Sequence, residues 1–330
     1  MSYSNRIWLY GPFGLVLLLG VLYSVFWRVE ADMLSARLDG LNGGEVMPGL
    51  VLSFAEKQVG GFPFRLDVVL TGVTLSNDGP NGTASWHTDK LALHTLTYGR
   101  PLYILEAAGE QLYERPGAAG EPATRFNLTP GLARASAVLS GGRLSRFDLD
   151  LMQVQGKDAS ENADSSRTFS VGRAQLHLLA NPDDTVEVAV RVEQGVLGDG
   201  YKPFFGGNVP LANLKGKITQ SGLLMGLTKG DDGLTESAEA WRAAGGQVAV
   251  EALTLDWAGM KTTLTGNVGL SANHRAEGSL TGSVDAAQVL GVLSRGGVKL
   301  PAMGETKFSL RIEDGEIKLA LDSGFAGFGR

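Results

Sequence analysis

Apolar and polar residues alternate with a period of two along much of the chain, the pattern of strands that bury one face. The cleanest case runs from Thr185 to Glu193. There Val186, Val188, Val190 and Val192 point one way, and Glu187, Ala189, Arg191 and Glu193 the other. Arg173 to Leu179 precedes it with Ala174, Leu176 and Leu178 in phase, and Asn181-Pro182-Asp183-Asp184 supplies turn chemistry, so the pattern predicts a hairpin. A second hairpin is predicted near the C-terminus. Phe308, Leu310 and Ile312 lead through Asp314-Gly315 to Ile317, Leu319 and Leu321. Further strands are predicted at Phe64 to Leu75, Lys90 to Thr97, Arg146 to Gln153, Gln247 to Trp257, Thr262 to Leu270 and Ala276 to Val284. Two of these change phase midway. Leu66, Val68 and Leu70 give way to Val73 and Leu75 around Gly72, and Val248 and Val250 give way to Leu253, Leu255 and Trp257. Such a change of phase predicts a bulge or a bend in a curved sheet.

Helical periodicity is scarce. Ser237 to Ala244 predicts a short helix stopped by Gly245-Gly246, and Asp285 to Ser294 another, with Asp285 as N-cap and Gly296 as stop. Pro130 to Leu139 fits helix or strand equally. Gln155 to Arg167 holds almost nothing apolar and reads as a solvated loop, the candidate boundary between two halves. The predicted class is mainly β: an N-terminal transmembrane helix, then an extended, curved, largely antiparallel sheet (an open groove or flattened barrel) with a few short helices.

One segment has no alternation at all. Ile7 to Trp27 carries no charge over 21 residues. At about 1.5 Å per residue such a helix reaches roughly 30 Å, the thickness of a bilayer's hydrocarbon core. Trp8, Tyr10, Tyr23, Phe26 and Trp27 sit toward its ends, where amphipathic rings favour the membrane–water interface. A signal peptidase prefers small residues, and the exit here is Tyr23-Ser24-Val25-Phe26-Trp27-Arg28. An uncleaved signal anchor is therefore expected. Arg6 precedes the span, whereas Arg28, Glu30 and Asp32 follow it, which favours a short cytoplasmic tip and an exported body. The helix is expected to continue to about Leu41, before Gly43-Gly44. The expected organisation is residues 1–28 as tip and anchor, 29–60 as juxtamembrane helix and linker, and 61–330 as a periplasmic β-rich domain.

Composition narrows the chemistry. The 330 residues include no cysteine, which removes disulfides, thiolate metal sites and cysteine nucleophiles. The 46 glycines are about twice ordinary usage but follow no three-residue period, so collagen is excluded. A net charge of -6 and a pI near 5.3 argue against a nucleic-acid surface. Beyond residue 28 the balance is 27 basic to 35 acidic residues, so the anchor and not a polybasic patch must hold the body at a membrane. The histidines His87, His94, His177 and His274 show no metal-ligand spacing, and His94 and His177 lie on the polar phase of predicted strands. Asp148 and Asp150 share one strand face, but Arg146 beside them points to an ordinary solvated ladder. No Gly-x-Ser-x-Gly elbow, phosphate loop or dinucleotide fingerprint occurs. No catalytic, cofactor or metal residues are assigned.

One cluster stands out: Gly60-Gly61-Phe62-Pro63-Phe64-Arg65-Leu66. Two flexible residues, then an aromatic–Pro–aromatic unit, make a stiff corner at the start of the first strong strand. Pro63 restricts Phe62 to extended geometry, so Phe62 and Phe64 are expected to point the same way. Arg65 faces opposite, within reach of Asp67. Gly61, Phe62, Pro63, Phe64 and Arg65 form the candidate structural or lipid-contact motif.

At these residues the chain resembles an uncharacterised family of Gram-negative envelope proteins, domain of unknown function 2125. The resemblance extends through Trp241-Arg242-Ala243-Ala244-Gly245-Gly246 and Leu253-Thr254-Leu255-Asp256-Trp257. The blocks Gly266-Asn267-Val268-Gly269-Leu270 and Gly278-Ser279-Leu280 also look like the tail region of the broader AsmA-like proteins. That resemblance implies an inner-membrane anchor, a periplasmic β-rich body and phospholipid transport, although this chain is much shorter than the bridging members. A membrane-anchored protein that binds or moves phospholipid, with acyl chains as its partner, is the first expectation. The alternative is an envelope scaffold with a closed core that binds another protein. An enzyme is disfavoured. Alternation cannot separate an open groove from a closed core, because both bury every second residue.

Overall fold

The computed structural model describes residues 4–321 apart from 48, 80–81, 97–100, 118–121, 142, 162, 202–205, 229–230, 258 and 286–304. It opens with one long helix, α1 (Ser4–Leu41), followed by Asn42 and Gly43, whose φ of 79° suits glycine at a helix stop. The helix extends beyond Trp27 as expected, so its uncharged part and its amphipathic continuation form one rod.

The rest is strand. The first group comprises β1 (Gly44–Met47), β2 (Leu50–Ser53), β3 (Glu56–Gly60), β4 (Arg65–Gly79), β5 (Gly82–Leu96) and β6 (Leu102–Arg115). Next come β7 (Thr124–Thr129), β8 (Leu132–Ser140), β9 (Arg143–Asp158), β10 (Thr168–Ala180), β11 (Val186–Leu197) and β12 (Asn208–Ile218). A 3₁₀ turn (Ser221–Thr228) and α2 (Asp231–Ala243) precede β13 (Val248–Trp257), β14 (Met260–Leu270) and β15 (Ala276–Asp285). The last hairpin is β16 (Glu305–Glu313) and β17 (Glu316–Leu321).

Every pairing is antiparallel, and the sheet follows chain order. β2 and β3 lie end to end along β4, and β7 and β8 lie end to end between β6 and β9. From β9 to β17 each strand pairs with the next. Among the described residues β1 pairs with β2 and β17 with β16, and no pairing joins the two edges. The sheet is open, not a barrel.

Both predicted hairpins are present. Ala180 faces Val186 across the Asn181–Thr185 turn, and Glu313 faces Glu316 across Asp314-Gly315. Asp314 and Gly315 both have positive φ (49° and 84°), the requirement of a tight two-residue hairpin turn. Of the predicted phase slips, the one in β13 is a register shift between Val250 and Leu253, whereas at Gly72, with φ 57°, the β4–β5 register continues unshifted and the phase changes through a local left-handed backbone.

Three expectations change. The segment read as a linker up to residue 60 contributes β1, β2 and β3 to the sheet; these strands have only four or five residues each, too few to display an alternation. The solvated loop begins later than Gln155, because Gln155–Asp158 finish β9 and pair with β7 and β10. The hydrogen-bonded sheet continues across that connection. Pro130 to Leu139, ambiguous in sequence, is strand from Leu132 onward. The helix expected at Asp285 to Ser294 lies outside the described residues beyond Asp285. α2 starts earlier than expected and ends as expected: Gly246 N–H donates to the Trp241 carbonyl and Gly245 N–H to that of Arg242, the Schellman pattern, with φ 73° at Gly245.

Two apolar clusters mark where the sheet is covered. At the first, Leu38 of α1 packs with Leu52, Phe54, Val68, Leu70 and Val73. Trp27 and Ala31 continue it onto Leu66. At the second, Val250, Leu264 and Leu280 gather with Leu253, Phe308 and Leu310 on the sheet's far portion. Helix α2 docks nearby through Trp241, which is buried and donates to the Thr219 carbonyl at 2.7 Å.

Candidate functional site

Strand register carries one line of apolar side chains across most of the sheet. In successive strands from β3 to β14 it reads Val59, Val68, Leu93, Leu105, Ala135, Leu149, Leu176, Val190, Leu214, Leu253 and Leu264, each directly opposite the next. At about 4.8 Å between strands the line is about 48 Å long, more than the roughly 30 Å of a bilayer's hydrocarbon core. A parallel line two residues along runs Leu70, Leu91, Ala107, Ala133, Leu151, Ala174, Val192, Ala212 and Leu255. On the other side Phe147, Leu178 and Val188 extend it again. The inner face is thus an apolar band at least three rows deep.

Burial along the band is uneven. Val68 and Leu264, within the two clusters, are 1% and 5% exposed. Between them Leu93, Leu105, Ala135, Leu149, Leu176, Val190 and Leu214 are all half-buried. A filled sandwich core would leave such residues below a tenth exposed, so the apolar line is not sealed along its middle.

A crease of irregular backbone runs across the strands. Gly72 of β4 lies opposite the Asp89 irregularity of β5, Gly109 (φ 88°) follows on β6, and Gln153 (φ 52°) and Gln194 (φ 56°) on β9 and β11. Left-handed residues in neighbouring strands bend the ladder along one line. The glycines there are required. A Cβ on Gly109 would lie 2.2 Å from the Asp89 carboxylate, and one on Gly172 2.2 Å from the Gln194 amide oxygen. Beyond the crease the apolar face resumes with Val73, Leu128 and Phe169, and the Phe169 ring covers the bare backbone of Gly156. Trp86, Tyr113 and Phe126 line up beside them.

The outer face has the opposite chemistry. Glu106, Arg134, Asp150, Gln175, Arg191 and Asn213 follow one another in register. Arg134 pairs with Glu106 at 2.7 Å, and Arg173 grips Asp150 with two hydrogen bonds of 2.8 Å. Asp148 accepts from Arg146 at 2.7 Å and lies 2.6 Å from His177 Nδ1. The Arg173 hydrogen bonds hold the Asp150 carboxyl below its usual range. Partial burial pushes Asp148 up, but the hydrogen bonds from Arg146 and His177 outweigh it and leave its pKa lowered. This carboxylate pair is a salt-bridged, water-facing ladder, as its sequence context suggested. No cluster of three metal-ligating side chains occurs among the described residues.

A cavity of about 630 Å³ opens where the strand ends of β9, β10 and β11 meet the band. Leu144, Phe147, Leu178 and Val186 form its apolar wall, and Arg143, Ser145 and Asn181 its polar rim.

The Gly61–Arg65 motif occupies the start of β4, against α1. Gly61 has φ 97°, and a Cβ there would meet the Arg65 carbonyl oxygen at 2.8 Å, so glycine is obligatory. Arg65 N–H closes the turn onto the Gly61 carbonyl at 3.0 Å. Tyr23 Oη donates to the Pro63 carbonyl at 2.5 Å and Trp27 Nε1 to that of Arg65 at 2.9 Å. Phe62 meets the Trp27 ring edge-on at 5.3 Å. Arg65 reaches Asp67 at 3.0 Å, as expected, and His94 joins the same carboxylate at 2.7 Å. Phe62 and Phe64 are 54% and 62% exposed. The crease, by contrast, was only partly anticipated: Gly72 signalled it, but Gln153 and Gln194 carry no left-handed signature in sequence.

These features define a class: an open antiparallel sheet with one apolar face, joined at one end to a helix long and apolar enough to cross a membrane. The chain belongs to the family described as an uncharacterised protein conserved in bacteria (DUF2125), whose model matches residues 27–290. No curated protein and no solved structure matches it.

Proposed function

We propose that this is a single-pass inner-membrane protein whose periplasmic sheet holds phospholipid acyl chains along its apolar inner face and so binds or moves lipid in the envelope. One observation carries the reading: the unbroken apolar line from Val59 to Leu264, half-buried through its middle. An acyl chain loses about 0.8 kcal/mol for every methylene moved from hydrocarbon into water, which for some sixteen carbons is roughly 13 kcal/mol. A carrier must therefore replace the bilayer with continuous apolar contact, and isolated hydrophobic spots do not suffice. Charge placement agrees. The ion pairs of Glu106 with Arg134 and of Asp150 with Arg173 sit on the outer face, away from the apolar line.

The anchor and the slight excess of positive charge before it support an inner-membrane location with the body outside the cytoplasm. The similarity of the later strands to AsmA-like proteins points the same way. Transfer of this kind needs no covalent step, consistent with the absence of an assigned nucleophile or acid–base pair.

The test is to purify the full chain in a mild detergent and identify co-purifying lipid by mass spectrometry, against an unrelated single-pass protein treated in parallel. Phospholipid in near-stoichiometric amount is expected. Lipid no higher than in the control would leave a tethered scaffold as the better reading.

A further inference from the structure

We propose that the Phe62–Phe64 corner is a wedge seated in the interfacial layer of the same bilayer that α1 crosses, on the side where the helix leaves it, in contact with glycerophospholipid. The inference depends on α1 lying in a bilayer and not on acyl chains occupying the inner face.

Depth comes from the helix. Tyr23 and Trp27 close the uncharged run, and aromatic residues with a polar tip settle where hydrocarbon meets headgroup. Both tips are used on the corner: Tyr23 Oη on the Pro63 carbonyl and Trp27 Nε1 on the Arg65 carbonyl. Those two hydrogen bonds place residues 63–65 at the height of the helix's last membrane turn. Phe62 then shares that height through its contact with Trp27.

Exposure and chemistry match that position. Phe62, Phe64 and Leu96, which is paired with Arg65 at the end of β5, are each more than two-fifths exposed. On α1, Leu22, Val25 and Phe26, next to Tyr23 and Trp27 in sequence, are about half exposed or more. In water this would be a costly apolar ledge; in a membrane it is one surface continuous with the span. Charge begins immediately above it. Arg28 and Arg65, with side chains 74% and 58% exposed, are the first cations beyond the apolar layer, at the level where lipid phosphates lie. The Gly61 turn fixes the ledge, because no other residue fits its backbone.

The sequence contains no cysteine, so single-cysteine labelling is clean. Nitroxide is attached to the full chain carrying Phe62→Cys or Phe64→Cys, reconstituted in phosphatidylethanolamine–phosphatidylglycerol vesicles. Leu17→Cys in the span and Gln175→Cys on the outer sheet are references. Collision with dissolved oxygen and with a neutral nickel chelate is measured by power-saturation electron paramagnetic resonance. The oxygen-to-nickel ratio at both corner sites is expected to move several-fold from the Gln175 value toward the Leu17 value. A ratio equal to that at Gln175 overturns the proposal, and so does shielding from both reagents, which would indicate a protein partner on the ledge. A water-like ratio at Leu17 itself would show that α1 is not in the bilayer, a separate failure that removes the proposal with it.

Discussion

The indole Nε1 of Trp27 lies 2.9 Å from the carbonyl oxygen of Arg65, joining the last residue of the uncharged run to the first residue of β4. Trp27 is 8% exposed although the helix around it is largely open. The long apolar helix and the sheet are therefore one mechanical unit at this point.

Trp27 should be the residue that holds them together. Trp27→Phe keeps a ring but loses the donor and leaves the carbonyl less satisfied, a cost of about 1 kcal/mol. Trp27→Ala also empties the space beside Leu66 and should cost about 3–5 kcal/mol. Urea unfolding of the purified chain in detergent, followed by tryptophan-independent circular dichroism, checks the order. Phe13→Ala, on a residue 72% exposed in the span, should leave the sheet's unfolding midpoint unchanged.

Gly156 tests the crease side of the sheet. Its missing side chain is replaced by the Phe169 ring, whose Cζ lies 2.2 Å from where a Cβ would stand. Gly156→Ala should destabilise by about 1–3 kcal/mol through overpacking. Adding Phe169→Leu should recover part of that loss. Two independent, additive losses in a thermal melt would show that the ring and the glycine are not matched.

Acid should loosen the outer ladder. Folded Asp150 has a lowered pKa because of Arg173, so its pairing contributes above the ordinary carboxylate value of about 3.9 and is lost as pH falls through the folded value. The same holds for Asp148. The melting temperature should fall from pH 5 toward pH 2, and Asp150→Asn should flatten that slope while lowering the plateau at neutral pH. An unchanged slope would mean the pair does not couple to folding.

Much of this fold is legible in sequence, for physical reasons. The uncharged run ending at Trp27 and the glycines after Leu41 bound α1, and strict alternation at Val186–Val192 fixes both the strand and the side that faces inward. Asp314-Gly315 specifies its turn because few residue pairs accept two positive φ values. The gaps are equally physical. β1 to β3 are too short to show a period, and Pro130 to Leu139 is rich in alanine, a helix former that is held extended here by pairing with β6 and β9. Gln153 and Gln194 adopt left-handed geometry because neighbouring strands bend there, a tertiary cause with no local code. The half-buried state of Leu149 and Leu176 depends on what lies opposite them, which alternation does not encode.

The most direct measurement of the trough uses adjacent residues on opposite faces. A photo-crosslinking amino acid is placed at Leu149, Leu176 or Val190 on the inner line, and at Gln175 or Arg191 on the outer ladder, in the full chain within intact cells. Ultraviolet light should yield phospholipid adducts at the three inner sites and none at the outer two. Equal adducts on both faces, or none at Leu149, Leu176 and Val190, would contradict an acyl-chain trough.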